Sequence, residues 1–315
     1  MKNTLRQEIS YLMSSKTLLI GVLLLMLLLI FGAFQAKITQ TSSVMQFKET
    51  QKVYNSEQEF ENDLHKPYSL SQSTNGQDQV DTSIENSARY SYESLMIANN
   101  QMSLLGFPKF FLKYSGLIFL PIISGFLGIF VATYDYKSAT YKRKLNHNSW
   151  QEILVGKYLV IISVLFIALV FTTLISLVIG GLSVHFIESI DVSKYGSIFE
   201  VHNSLLDLAT LGLTVFLMNV ITAVIWFTLS LIIKSSVISI VLFLLYDLVL
   251  PNFGKYDFKN GMMNVFSSVG KDVITQPVPL LQIPFLEAWG ILIVHVLLAL
   301  GIGWGIFYKK TRFTL

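Results

Sequence analysis

Residues 17–36 form an unbroken run without a single charged side chain, and long apolar stretches recur from there to the C-terminal end of the chain. About 18 or more apolar residues in sequence match the hydrocarbon thickness of a bilayer when wound as a helix. The apolar core of a cleaved secretory signal is shorter, about 7–15 residues, so residues 17–36 read as a span. Of 315 residues, 52% are hydrophobic and only 14% charged, against about 25% charged in an ordinary soluble domain. The chain reads as an integral membrane protein.

Hydropathy divides the chain as follows. Residues 1–16 carry Leu5, Ile9, Leu12 and Met13 at helical spacing, with Lys2, Arg6 and Lys16 beside them, and read as an interfacial helix in the headgroup layer. Thr4 and Gln7 stand at capping-box spacing. Spans follow at 17–36, 110–133, 158–184, 206–233, 237–250 and 285–308, with a tail at 309–315. The fold class expected is all-α integral membrane, with six transmembrane helices. Residues 37–107 are too long and too polar for an idle connection, and their spacing predicts a helical extracellular segment. Its first helix is expected to stop near Pro67, its second to run from about Thr82 to Leu104, with turn or disordered chain between. Outer loops are expected at 185–204 and 251–284, the latter with room for an interfacial or re-entrant helix.

A polar island, residues 134–157, separates the second and third spans. Lys137, Lys142, Arg143, Lys144 and Lys157 outweigh Asp135 and Glu152 there, and such a surplus beside span ends marks the cytoplasmic side. Lys309, Lys310 and Arg312 close the last span in the same way, which puts both termini in the cytoplasm.

The motifs of the common catalytic sites are missing. Gly156-Lys157 and Gly270-Lys271 lack the upstream glycine and following Ser/Thr of a phosphate-cradling loop. The five histidines, His65, His147, His185, His202 and His295, form no metal-binding pair, and there is no cysteine. No G-x-S-x-G is present. The expectation is no catalytic residue, no metal site and no cofactor bound by this chain. A net charge of +3, with basic residues at the ends of apolar runs, gives no nucleic-acid surface. Asn219, Asp247 and His295 lie within apolar runs, where a charged group costs about 2.5 kcal/mol or more, and are candidates for a substrate pathway. The competing reading is that they serve packing and interhelical hydrogen bonds, as Gly301, Gly303 and Gly305 do by close approach.

The island also resembles a known family. An acidic residue ending the second span (Asp135), then Ala139-Thr140, the cluster Lys142-Arg143-Lys144 and a lysine opening the third span (Lys157) are similar to the membrane subunits of ABC-2 type ABC exporters. Ala139 stands where the family usually has glycine, and Asn148-Ser149-Trp150 where a Ser-Arg pair is common. The resemblance implies that residues 134–157 form a cytoplasmic coupling helix docking on an ATPase subunit through Asp135, Thr140, Tyr141, Lys142, Arg143, Lys144, Trp150 and Lys157. It also implies a bacterial plasma-membrane location, two ATPase subunits that bind ATP and Mg, and a second permease copy or homologue. The cargo expected is hydrophobic or amphipathic, a peptide or antimicrobial compound among them. A non-transporting receptor or immunity protein, whose outer segment binds a peptide, is the alternative. A secondary transporter is disfavoured because the six spans show no obvious inverted repeat and few buried charges.

Overall fold

A computed structural model describes residues 2–14, 16–75, 79–137, 140, 144, 149–188, 195, 198–199, 201, 203–269 and 281–312. Helix α1 (Lys2–Ser14) is followed by α2 (Thr17–Val53), α3 (Glu57–Leu64), strands β1 (Ser69–Asn75) and β2 (Gln79–Glu85), α4 (Ser87–Gln101), α5 (Gly106–Gly116) and α6 (Phe119–Lys137). Then come α7 (Trp150–Ser183), α8 (Leu205–Ile233), α9 (Ser236–Leu244), which passes into a π turn at Leu245–Val249, α10 (Phe258–Val269) and α11 (Phe285–Arg312). Among the described residues, five helices are long and apolar enough to cross a membrane: Leu18–Val53, Phe119–Tyr136, Trp150–Phe186, Leu205–Ile233 and Phe285–Lys309. The protein is a helical, multi-pass membrane protein by this measure.

Several boundaries differ from the sequence expectation. The run read as a fifth span, 237–250, is nine residues of α-helix and five of π. At 1.5 Å per residue that gives about 21 Å, well under the roughly 30 Å of hydrocarbon. The second span is broken at Leu117 and Ile118, between α5 and α6, and Pro121 sits in the first turn of α6, where a backbone N–H would have no partner within the helix. Helix α2 does not stop at Ala36 but runs 37 residues, about 55 Å, because nothing before Tyr54-Asn55-Ser56 breaks it. Ser56 then caps α3, its hydroxyl accepting from the Glu59 amide. The capping-box reading of Thr4 and Gln7 is also corrected: α1 already begins at Lys2, and the Gln7 side-chain amide donates to the Tyr11 hydroxyl at 2.9 Å.

The chain divides into two compact units. The first comprises residues 1–28, 112–173 and 209–315. Its core joins Leu12, Leu127, Val131, Ile153, Ile161, Phe227, Leu231 and Phe307, with a second cluster of Ile129, Trp226 and Phe243. Helices α6 and α8 touch at Gly128, where a Cβ would lie 2.2 Å from the Ala223 carbonyl oxygen, so only glycine permits that approach.

The second unit comprises residues 29–111 and 174–208. An aromatic core of Phe47, Phe60, Tyr92 and Tyr195, closed by Leu64 and Leu95, holds it together. The segment read as turn or disorder is an antiparallel hairpin pairing Ser69 with Glu85 through Asn75 with Gln79, so the segment is not wholly helical and α4 starts at Ser87 rather than near Thr82. Asn86 makes that start: at φ 64° its carbonyl caps the Arg89 amide while its NH2 donates to the carbonyls of Asp63 and Lys66. Arg89 completes the joint, donating to the carbonyls of Leu64 and Ile198 and pairing with Glu93.

Candidate functional site: a buried charge clasp

Four charged side chains meet inside the first unit, all of them buried: Glu8 from α1, Asp135 from the last turn of α6, Lys144 from the island and Lys157 from α7. The Lys144 ammonium lies 2.5 Å from Glu8 Oε1 and 2.7 Å from Asp135 Oδ1. Lys157 lies 2.8 Å from Asp135 Oδ2 and 3.5 Å from Glu8 Oε2. Two carboxylates and two ammonium groups thus share one pocket with no net charge, which is the condition for keeping ions out of water.

Each partner has a further tie. Lys157 also donates to the Val131 carbonyl at 2.7 Å, one turn before Asp135, so the cation sits at the negative end of the α6 dipole. An aspartate in a last helical turn is unfavourable by itself, and the two lysines reverse that sign. Thr140 donates its hydroxyl to Asp135 Oδ1 at 2.8 Å and its amide to the Asp135 carbonyl at 3.2 Å. The Lys144 amide donates to the Thr140 carbonyl at 3.0 Å. The Lys144 ammonium also rests 4.5 Å from the centroid of Tyr11, which stacks on Tyr134 at 5.3 Å. Helix α1, the end of α6, Thr140, Lys144 and the start of α7 are therefore fastened to one another.

Of the island residues named from the sequence, Asp135, Thr140, Lys144 and Lys157 come together here. Tyr141, Lys142 and Arg143 lie outside the described residues. Trp150 takes no part in the clasp and packs edge-on against Trp304 at 4.7 Å and Tyr308 at 6.0 Å, tying the start of α7 to the end of α11. Glu8 was not singled out by sequence reasoning. Its signal is a lone carboxylate on a basic helix, at i+3 from Leu5 and i−4 from Leu12, on the face that packs inward.

The pathway candidates stay apart: no hydrogen bond or ion pair joins Asn219, Asp247 and His295. Asn219 is buried on α8, its NH2 donating to the Val215 carbonyl of its own helix. His295 Nδ1 lies 2.8 Å from the Ile291 carbonyl, and its ring faces Phe258 at 6.0 Å. Asp247 sits in the π turn, within the field of Lys259. Lys259 holds the carbonyls of Tyr246 and Leu250 at 2.8 and 2.7 Å, capping the carbonyl end of the short helix. Of the three glycines named from the sequence near the end of α11, Gly303 faces Tyr158, whose hydroxyl a Cβ would meet at 2.7 Å, while Gly301 and Gly305 face open space. Among the described residues no group of His, Asp and Glu is arranged to hold a metal.

Comparison with protein families, with characterised proteins and with solved structures finds no match.

Proposed function

We propose that the chain is the membrane permease subunit of an ATP-driven exporter of the ABC-2 type, and that the clasp is the joint through which a partner ATPase moves it. The observation that supports this reading most directly is the fastening of the polar island to α1, α6 and α7 by Lys144 and Lys157. A loop that merely touched lipid headgroups has no need of four buried charges. A loop that must pass a push into two spans needs a stiff connection, and a neutral, fully paired ion cluster supplies one.

In this reading the short apolar helix Ser236–Val249 completes a sixth crossing together with α10, both termini lie in the cytoplasm, and the membrane is a bacterial plasma membrane. Two ATPase subunits bind ATP and Mg, and a second permease copy or homologue completes the pathway. The cargo is hydrophobic or amphipathic. The receptor reading keeps one observation in its favour, the self-contained aromatic core of the second unit, which has the makings of a binding head.

Affinity purification of the full chain from its native membranes tests the proposal. A stoichiometric P-loop ATPase whose turnover falls in Trp150→Ala or Lys142→Glu chains supports the exporter; recovery of the chain without any ATPase contradicts it.

A further inference from the structure

A π turn is rare and recurs at functional sites, and Asp247 sits in the one that ends α9. Among the described residues no hydrogen bond and no ion pair reaches its carboxylate. The side chain is half-buried and neither oxygen is sealed off. Lys234, exposed at the foot of α9, marks one edge of the hydrocarbon. Asp247 follows about 20 Å along the helix, short of the roughly 30 Å to the far headgroups. Around it Leu245, Leu248 and Val249 are exposed and apolar. A carboxylate so placed calls for a cation.

The neighbouring charges do not supply it. Asp257 acts as an ionised acceptor, taking the Tyr246 hydroxyl and, at 3.0 Å, the Lys259 amide on Oδ1, and the Phe253 amide at 2.7 Å on Oδ2. Lys259 gives its protons to the Tyr246 and Leu250 carbonyls, with the Tyr246 ring centroid 5.0 Å from its ammonium. Lys255 is already paired with Glu287 at 2.7 Å. Asp247 and Asp257 therefore share one ammonium, where the clasp balances two carboxylates with two. We infer that Asp247 binds the ammonium group of an amphipathic cation, whose apolar part lies along the exposed Leu248, Val249 and Phe253 of the same elbow. Phe253, 67% exposed and stacked on Tyr246 at 6.4 Å, adds ring surface of the kind a cation favours. A multivalent metal is the wrong occupant, because it takes six or more oxygens and no such group is assembled among the described residues. An anion would meet a carboxylate with no donor beside it. The inference narrows the cargo of the proposed exporter to amphipathic cations and rests on that reading only for the word cargo, since the binding itself needs no ATPase.

The test uses the full chain, without any ATPase, in phosphatidylcholine nanodiscs, with a photoreactive diazirine derivative of dodecylammonium beside the same derivative of dodecanol. Expected is saturable labelling by the ammonium probe that maps to residues 244–257 and is displaced by dodecylammonium but not by dodecanol. Asp247→Asn lowers that labelling by about tenfold or more, the scale of one charge-assisted hydrogen bond. Asp247→Glu, which keeps the charge, retains most of it. Asp207→Asn, which removes an exposed carboxylate at the start of α8, leaves it unchanged. Equal labelling by the ammonium and the alcohol, label mapped away from residues 244–257, or full labelling of folded Asp247→Asn overturns the inference. The map is made on the parent chain, so it decides even where a variant does not fold. A negative result leaves the exporter reading to its own test, the co-purification of an ATPase.

Discussion

Lys157 and Asp135 face each other at 2.8 Å across the junction of α7 and α6, each 1% exposed, and neither has water to fall back on. The pair is balanced only because Lys144 and Glu8 share the same pocket.

Removal of one member strands a charge. Lys157→Met is expected to lower stability by about 3–5 kcal/mol, because Asp135 and Glu8 then share one cation. Lys157→Met combined with Asp135→Asn restores neutrality with Glu8 and Lys144 still paired, so the double variant loses less than the sum of the singles. Thermal unfolding followed by tryptophan emission in detergent measures both.

Helix α1 depends on the same charges. Glu8→Gln keeps the shape but weakens the bond to Lys144, and α1 is expected to lift from the core. Leu12 is 7% exposed, so a cysteine placed there in this cysteine-free chain is protected from maleimide. Labelling of Leu12→Cys is expected to quicken several-fold when Glu8→Gln is added, and an unchanged rate disproves the dependence.

Close approach makes one glycine costly to change and another cheap. Gly128→Ala drives a methyl into the Ala223 carbonyl and is expected to cost at least about 2 kcal/mol through separation of α6 from α8. Gly301→Ala meets nothing within 4 Å and is expected to stay within about 0.5 kcal/mol of the parent. Unfolding temperatures of the two variants compare them directly.

In the second unit, a hydrogen bond from Lys66 holds the Asp63 carboxyl below its ordinary range. A carboxyl depressed on folding stabilises above its unfolded pKa of about 3.9 and loses that contribution as pH falls through the lower folded value. The effect is small because the pair is solvent-exposed. Unfolding of the parent between pH 5 and pH 2 is expected to show a slightly steeper fall than that of Asp63→Asn.

Five of the runs read as spans were legible because hydrocarbon thickness imposes a length that no other use of twenty uncharged residues demands. Where length alone decides less, the sequence misled. Residues 69–85 carry Ser, Gln and Thr in place of alternating apolar residues, so the pairing of β1 with β2 left no hydrophobic period to read. The end of α2 was invisible for the opposite reason: no Gly or Pro interrupts residues 37–53, and the helix outlasts its apolar stretch. At the clasp, Asp135, Lys144 and Lys157 were marked by their places at span ends, whereas the inward turn of Lys144, from a run of basic residues, follows only from tertiary packing. The orphaned Asn219 oxygen could not be read at all, because a sequence places an amide in a span without saying which of its atoms finds a partner.

Ser149 is exposed at the foot of α7, within the island, and a cysteine there would be the chain's single thiol. In native membranes, Ser149→Cys is expected to resist a membrane-impermeant maleimide from outside, to react once the cytoplasmic face is opened, and to crosslink to a P-loop ATPase in a nucleotide-dependent manner. Labelling from the outside, or a thiol on the inner face that crosslinks to no ATPase, would contradict the account.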